Sequence, residues 1–237
     1  MLAIHGLNFG AGSSDFLIVP ELVAGTTGAA GISLEEPLTT VRARTLSGNT
    51  WSALNESTFV RPSQFDLRVK EIMYHPADPA PDSAFEDENF EFVEFKNIGT
   101  ETIFLEPVRV TGGIQFDFSG SDVEVLEPGE YVVIVENLEA FASRYDVSEV
   151  TIAGEYSGRL ANRVGTFSVV GAMDESILDL WYVDAWYPQT DGFGASLYLV
   201  DDDVPLDQLG WRESWAAGTT LHGTPVSYTH LTLPTKA

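Results

Sequence analysis

The chain has 237 residues, with Lys+Arg 12 against Asp+Glu 36 and a formal charge of -24. Such a surface repels phosphate backbones and excludes nucleic-acid recognition through basic patches. There is no cysteine, which excludes thiol catalysis, disulfide staples and Cys-ligated zinc. Hydrophobic residues at 44% and aromatics at 11% supply a core, so composition does not predict disorder. No apolar run approaches the roughly 18 residues that a membrane helix needs. Met1 to Gly6 lacks the basic segment of a signal peptide. The start reads as an internal cut of a longer protein, so an export signal is expected upstream.

In chain order, Leu2 to Asn8 and Asp15 to Leu22 predict two short strands, too few to close a core. Residues 1–25 resemble the last strands of a jelly-roll module of large secreted bacterial proteins. Gly25 to Gly31 is a flexible joint or a loop tip. Val41, Ala43 and Thr45 alternate with Arg42 and Arg44, which predicts a strand with one solvated cationic face. Ser47-Gly48-Asn49 is a hairpin turn, and Trp51 to Phe59 the returning strand. This piece, within 26–64, resembles the final hairpin of the small β-sandwich appended to chitobiases and β-hexosaminidases. That appended module is not catalytic, so no glycosidase activity is implied. Arg61 to Gln64 is a linker by its proline and polar content.

The main domain is expected over 66–204. Leu67 to Tyr74 begins it as a strand, and the proline-rich His75 to Asp82 is irregular. Ser83 to Asn89 is an acidic loop. Glu91 to Gly99 interleaves aromatic, β-branched and charged residues, then stops at turn chemistry. Its apolar phase slips once, from Phe90 and Phe92 to Val93 and Phe95. Either a bulge sits there or the strand is covered on both faces, and a strand central to a sandwich favours the second. Strand signals then recur at Thr102 to Leu105, Val108 to Val110, Gly113 to Phe118, Tyr131 to Val135 and Val150 to Ala153. They continue at Gly165 to Val170, Ser176 to Tyr182 and Ala195 to Val200. Glu127 to Glu130 is a turn. One helix is capped by Asn137, with Leu138, Phe141, Ala142 and Tyr145 as its packing stripe. The pattern is that of an all-β sandwich with one short helix.

In order, Val69 to Pro76, Glu91 to Gly99, Leu126 to Val135, Phe141 to Tyr145, Gly158 to Asn162, Gly194 to Asp201 and Trp211 to Ser214 resemble the bacterial extracellular form of the lamin tail domain. The likeness covers roughly residues 66 to 215. Where that family has a Gly-Gly-acidic turn, this chain has Arg163-Val164-Gly165. The resemblance implies an immunoglobulin-like β-sandwich and a structural or interaction module of an exported protein. It implies no shared active site. Residues 205–225 form a C-terminal extension. Residues 226–237 read as a translated sequencing adapter.

Few constellations carry chemistry. None of the four histidines, His5, His75, His222 and His230, falls at metal-ligand spacing with another. His75 is assigned a local packing or turn role. Glu91 and Glu94 point to opposite faces of a regular strand and read as solvated or strand-edge charges. Calcium takes six to eight oxygens from a flexible loop. Asp78, Asp82, Glu86, Asp87 and Glu88, with Asn89, offer enough of them, and Asp201, Asp202 and Asp203 form a second acidic run. Trp181, Tyr182, Trp186 and Tyr187 form an aromatic group that either packs or, if exposed, stacks on sugars or enters a partner's pocket. The leading expectation is a non-catalytic recognition or spacing module at the cell surface, meeting a protein or surface glycan and the neighbouring domains of its parent chain. Carbohydrate binding is the second reading, and an accessory region of a secreted hydrolase the third.

Overall fold

The structure is a computed structural model and describes residues 2–3, 23–24, 38–44, 46–47, 49–60 and 62–225. The chain divides into two compact units, Met1–Arg61 and Pro62–Ala237. In the first, β1 (Leu2–Ala3) pairs antiparallel with β2 (Val23–Ala24). The expected strand at 15–22 and the joint at 25–31 lie outside the described residues. β3 (Leu38–Ala43) pairs along its full length with β6 (Asn55–Val60). Between them, β4 (Leu46–Ser47) and β5 (Thr50–Trp51) register Ser47 with Thr50. The expected hairpin is therefore present, but its returning strand is interrupted at Ser52 to Leu54. Arg42 and Glu56 face each other across the β3–β6 ladder as an ion pair.

The second unit opens with a 3-10 turn, Pro62–Asp66, where a linker is expected. Ser63 and Gln64 are buried there, and the Gln64 amide donates to Glu175. Polar content signals exposure only when it has no partner inside, and Gln64 has one. Among the described residues, thirteen strands follow. They are β7 (Leu67–Met73), β8 (Phe92–Asn97), β9 (Ile103–Phe104), β10 (Arg109–Gly112), β11 (Ile114–Asp117), β12 (Val125–Leu126) and β13 (Tyr131–Val135). After the helix α1 (Leu138–Arg144) come β14 (Ile152–Glu155), β15 (Ser157–Gly158), β16 (Val164–Val170), β17 (Ser176–Val183), β18 (Leu197–Leu199) and β19 (Trp215–Ala217).

Two sheets carry the domain, in the orders β14-β13-β8-β7-β18-β19 and β15-β11-β10-β16-β17. Their facing sides share one apolar interior. Val69, Ile72, Val93, Phe95, Val132, Ile134, Leu197 and Trp215 come from the first sheet. Val110, Ile114, Phe167, Val169, Leu178, Leu180 and Tyr182 come from the second. This is the expected all-β sandwich with one short helix. Gly165 stands opposite Tyr182 in the β16–β17 ladder, and a Cβ there would run into the tyrosine ring. A glycine is therefore required at position 165.

β8 is buried throughout except at Lys96, because both of its faces are covered. Val93 and Phe95 face the interior, while Phe92 packs on the outer side with Met73, Val133, Val135 and Phe141. A register shift does occur beside it, in β7 between Val69 and Glu71. Asn97 ends the strand. Its side chain donates to the Leu126 and Glu101 carbonyls (2.8 Å each) and accepts from Gly99 N–H (2.9 Å).

The helix caps as expected, Asn137 Oδ1 accepting from Ala140 N–H at 2.9 Å. Its stripe is rotated from the expectation. Ala140 and Phe141 are buried and Tyr145 half-buried, while Leu138 and Ala142 are exposed. The helix is a crossover, since β13 and β14 are parallel. Such a connection swings the packing face toward the sheet it leaves and rejoins. Residues 205–225, expected as an extension, supply the edge strand β19 and place Trp215 in the interior at 1% exposure.

Candidate functional site

The acidic loop does not gather its carboxylates. Asp78, Asp82 and Glu86 are exposed. Asn89 Oδ1 accepts from Glu86 N–H (2.9 Å) and closes a 3-10 turn over Asp87–Phe90. Asp87 lies 3.6 Å from His75 Nε2, and Glu88 pairs with Arg159 at 2.8 Å. His75 Nδ1 meets Asp191 at 2.6 Å, so the imidazole sits between two carboxylates and ties the proline-rich loop to residue 191. In the second run, Asp202 bridges Lys70 and Lys96, and Asp201 accepts from Asp203 N–H at 3.0 Å. Among the described residues, no three His, Asp or Glu side chains converge as metal ligands.

The aromatic group is split by strand alternation. Tyr182 (0% exposed) and Trp186 (8%) are interior, the Tyr182 ring lying 4.7 Å from Tyr74. Tyr187 is half-buried, its hydroxyl donating to the Trp215 carbonyl at 2.7 Å. The Arg212 guanidinium covers the Tyr187 ring at 4.9 Å and donates to the Trp186 carbonyl at 3.0 Å. Trp181 alone of the four faces outward, 41% exposed, braced edge-on by Trp186 at 5.2 Å. A side chain at Gly210 would touch its indole, and the next residue, Trp211, is 55% exposed. Sequence reading missed Trp211. Its signal was the proximity of Gly210 to Trp181, which only the fold creates. Trp181 pairs with Thr166, and Val164 with Val183, while Asp179, two residues back on the same outward face of β17, brings a carboxylate to it. Val164 is itself 53% exposed.

The reading of Glu91 and Glu94 as solvated charges is overturned, because they are 0% and 3% exposed. Glu91 turns toward the interior, where its Oε2 accepts from Tyr156 Oη (2.9 Å) and from Leu160 N–H (3.0 Å). Burial pushes its carboxyl up to about 8, and burial likewise raises Tyr156. Glu94 lies on the opposite face, directly across from Glu71. Like charges at such a cross-strand position repel. Burial raises the Glu71 carboxyl, which accepts from Thr224 N–H (2.9 Å) and Thr224 Oγ1 (3.2 Å). His222 is fixed by Tyr145 Oη on its carbonyl (2.6 Å), and burial lowers its imidazole. His5 and His230 lie outside the described residues.

The geometry thus offers buried carboxyls that fasten segments, and one outward aromatic face on a rigid sheet. No protein-family model matches the chain, and no curated protein matches it.

Proposed function

We propose that this chain is a non-catalytic interaction module of a large, exported, multidomain bacterial protein, acting in recognition or spacing at the cell surface. What supports it most is the exposed ground around Trp181. Its indole sits on the edge strand β17 with Thr166 across from it, and Trp211, also exposed, follows Gly210 in the chain. Exposed aromatic ground on a folded domain marks a binding surface, and rigid indoles contribute contact area at little entropic cost. The order of motifs shared with lamin tail domains points the same way. Binding of the double variant Trp181→Ala/Trp211→Ala to the neighbouring domains of the parent chain tests it. Loss of binding with an unchanged fold is the expected result. Turnover of nuclease, esterase or glycosidase substrates by the purified chain contradicts it and favours the accessory-hydrolase reading.

A second reading assigns the same face to a surface glycan. The exposed Trp181 indole, with Thr166 across the ladder from it, favours it, because the apolar face of a sugar ring stacks on such a surface. Polysaccharide pull-down with Trp181→Ala separates the two. Trp186→Ala does not, since Trp186 is buried and its loss disturbs packing.

A further inference from the structure

β17 is the edge strand of its sheet, paired with β16 on one side only. The register settles which of its backbone groups are spent. Asp184 N–H donates to the Arg163 carbonyl (2.9 Å), in line with the pairs Val164↔Val183 and Gly165↔Tyr182. Hydrogen-bonded and non-bonded pairs alternate along an antiparallel ladder. Tyr182, Leu180 and Leu178 therefore turn their N–H and C=O groups to β16, while those of Val183, Trp181 and Asp179 point away from it. The next ladder agrees. The carbonyl of Thr166, the residue opposite Trp181, accepts from Gly113 N–H (3.1 Å) on the β10 side. Among the described residues, no backbone group bonds to the outward N–H and C=O of Asp179, Trp181 and Val183. The chain that approaches Trp181 at Gly210 closes on itself instead, with Gln208 N–H on the Pro205 carbonyl, Leu209 N–H on Leu206 and Trp211 N–H on Gln208.

A row of outward N–H and C=O groups is a template for one more strand. The charges beside it select which strand. Asp179 accepts from the Ser168 and Ser176 hydroxyls, and Asp184 from Ala185 N–H, and among the described residues neither carboxylate meets a cation. A second copy would bring the same two carboxylates and a net charge of -24 to the same edge, and repulsion disfavours that pairing. A cationic strand gains where a second copy loses. In antiparallel pairing, side chains directly opposite share a face. A Lys or Arg opposite Asp179 forms an ion pair, and one opposite Trp181 lies over the exposed indole.

We infer that the outer edge of β17 is a docking site for an extended, cationic segment of a partner protein, added antiparallel as a sixth strand of this sheet. The inference rests on the reading of the chain as an interaction module and supplies its mode: backbone pairing at Asp179, Trp181 and Val183, with the indole as one contact on the outer face.

The probe is a dye-labelled peptide of about eight residues that alternates lysine with valine, added to the full chain. Two measurements test the docking. In amide hydrogen exchange, Leu180 and Tyr182 are protected in the free chain while Asp179, Trp181 and Val183 exchange fast, and the peptide raises protection at those three by at least about tenfold. Protection of the three in the free chain, whether by a second copy or by the chain itself, overturns the inference. Fluorescence anisotropy then separates backbone pairing from general charge attraction. Lysines opposite Asp179 and Trp181 turn their N–H groups to β17, so methylating the lysine backbone nitrogens weakens binding by at least about tenfold, and methylating those of the valines does not. Any other order of the two peptides overturns the inference. If the unmodified peptide fails to bind while Trp181→Ala/Trp211→Ala still abolishes binding to neighbouring domains, the edge inference falls and the interaction-module reading stands.

Discussion

The two faces of the six-stranded sheet are built on different terms. Strand β8 shows both at once, with Val93 and Phe95 turned inward and Phe92 and Glu94 outward. Inward, apolar side chains of two sheets interdigitate, and the polar group admitted there is anchored by Tyr156. Outward, a helix of 7 residues packs with Met73, Phe92, Val133 and Val135, and Val150 and Ile152 join that small apolar patch. So short a helix is marginal alone and depends on Phe141 and Tyr145 for its place. The rest of that face is closed by charged side chains. Lys70 and Lys96 converge on Asp202, Lys96 also lies 5.2 Å over Tyr131, and Glu71 holds Thr224. A sheet covered on both sides is therefore not equally apolar on both. Its inner face specifies the fold, and its outer face is sealed by whatever the chain lays across it.

The comparison is broken most forcefully at the inner face. Phe95→Ala removes a fully buried ring from between the sheets and is expected to cost about 4–5 kcal/mol in denaturant unfolding. Next in size is pH. The folded-state carboxyl of Glu91 lies above its ordinary value, so its stabilisation is complete in acid and is lost as pH rises from about 4.5 to about 8. The expected loss is on the order of 4 kcal/mol across that window. Glu71 acts in the same direction. Relief of the repulsion among 36 acidic residues adds to the acid side, so the Glu91 part is the difference between native and Glu91→Gln unfolding curves.

At the outer face the effects shrink. Phe141→Ala detaches the helix from Phe92, whose ring it meets edge-on at 5.8 Å, and is expected to cost about 3 kcal/mol, less than Phe95→Ala. Equal losses at the two positions would erase the distinction. Asn137→Ala removes the helix cap at about 1 kcal/mol. Trp181→Ala is expected to cost less than about 1 kcal/mol in the same assay, because that indole is 41% exposed and meets the interior only at Trp186.

Much of the inner face was legible in the sequence. β7, β13, β16 and β17 follow from runs or alternation of β-branched and aromatic residues, and the slipped phase at Phe92-Val93 announced the two-sided cover. What stayed hidden depends on partners distant in the chain. Glu91 resembles any strand-edge charge until Tyr156 and Leu160 are brought to it. Gln64 reads as linker until Glu175 faces it. β19 is only Trp215–Ala217, too short for a period, and exists because β18 offers it an edge. The aromatic face was half legible. Alternation separates Trp181 from Tyr182, but Trp211 reaches the same region only through the fold.

Alternation along β16 tests the central claim, that one sheet face is sealed in the interior while the other is the open ground beside Trp181. The chain has no cysteine of its own, so single substitutions Val164→Cys, Thr166→Cys, Phe167→Cys and Val169→Cys report cleanly by native-state thiol labelling. Thiols at 164 and 166 should react as in an unfolded peptide, and those at 167 and 169 only as fast as the domain opens. Fast labelling at 167 and 169, or protection at 164 and 166, would contradict it.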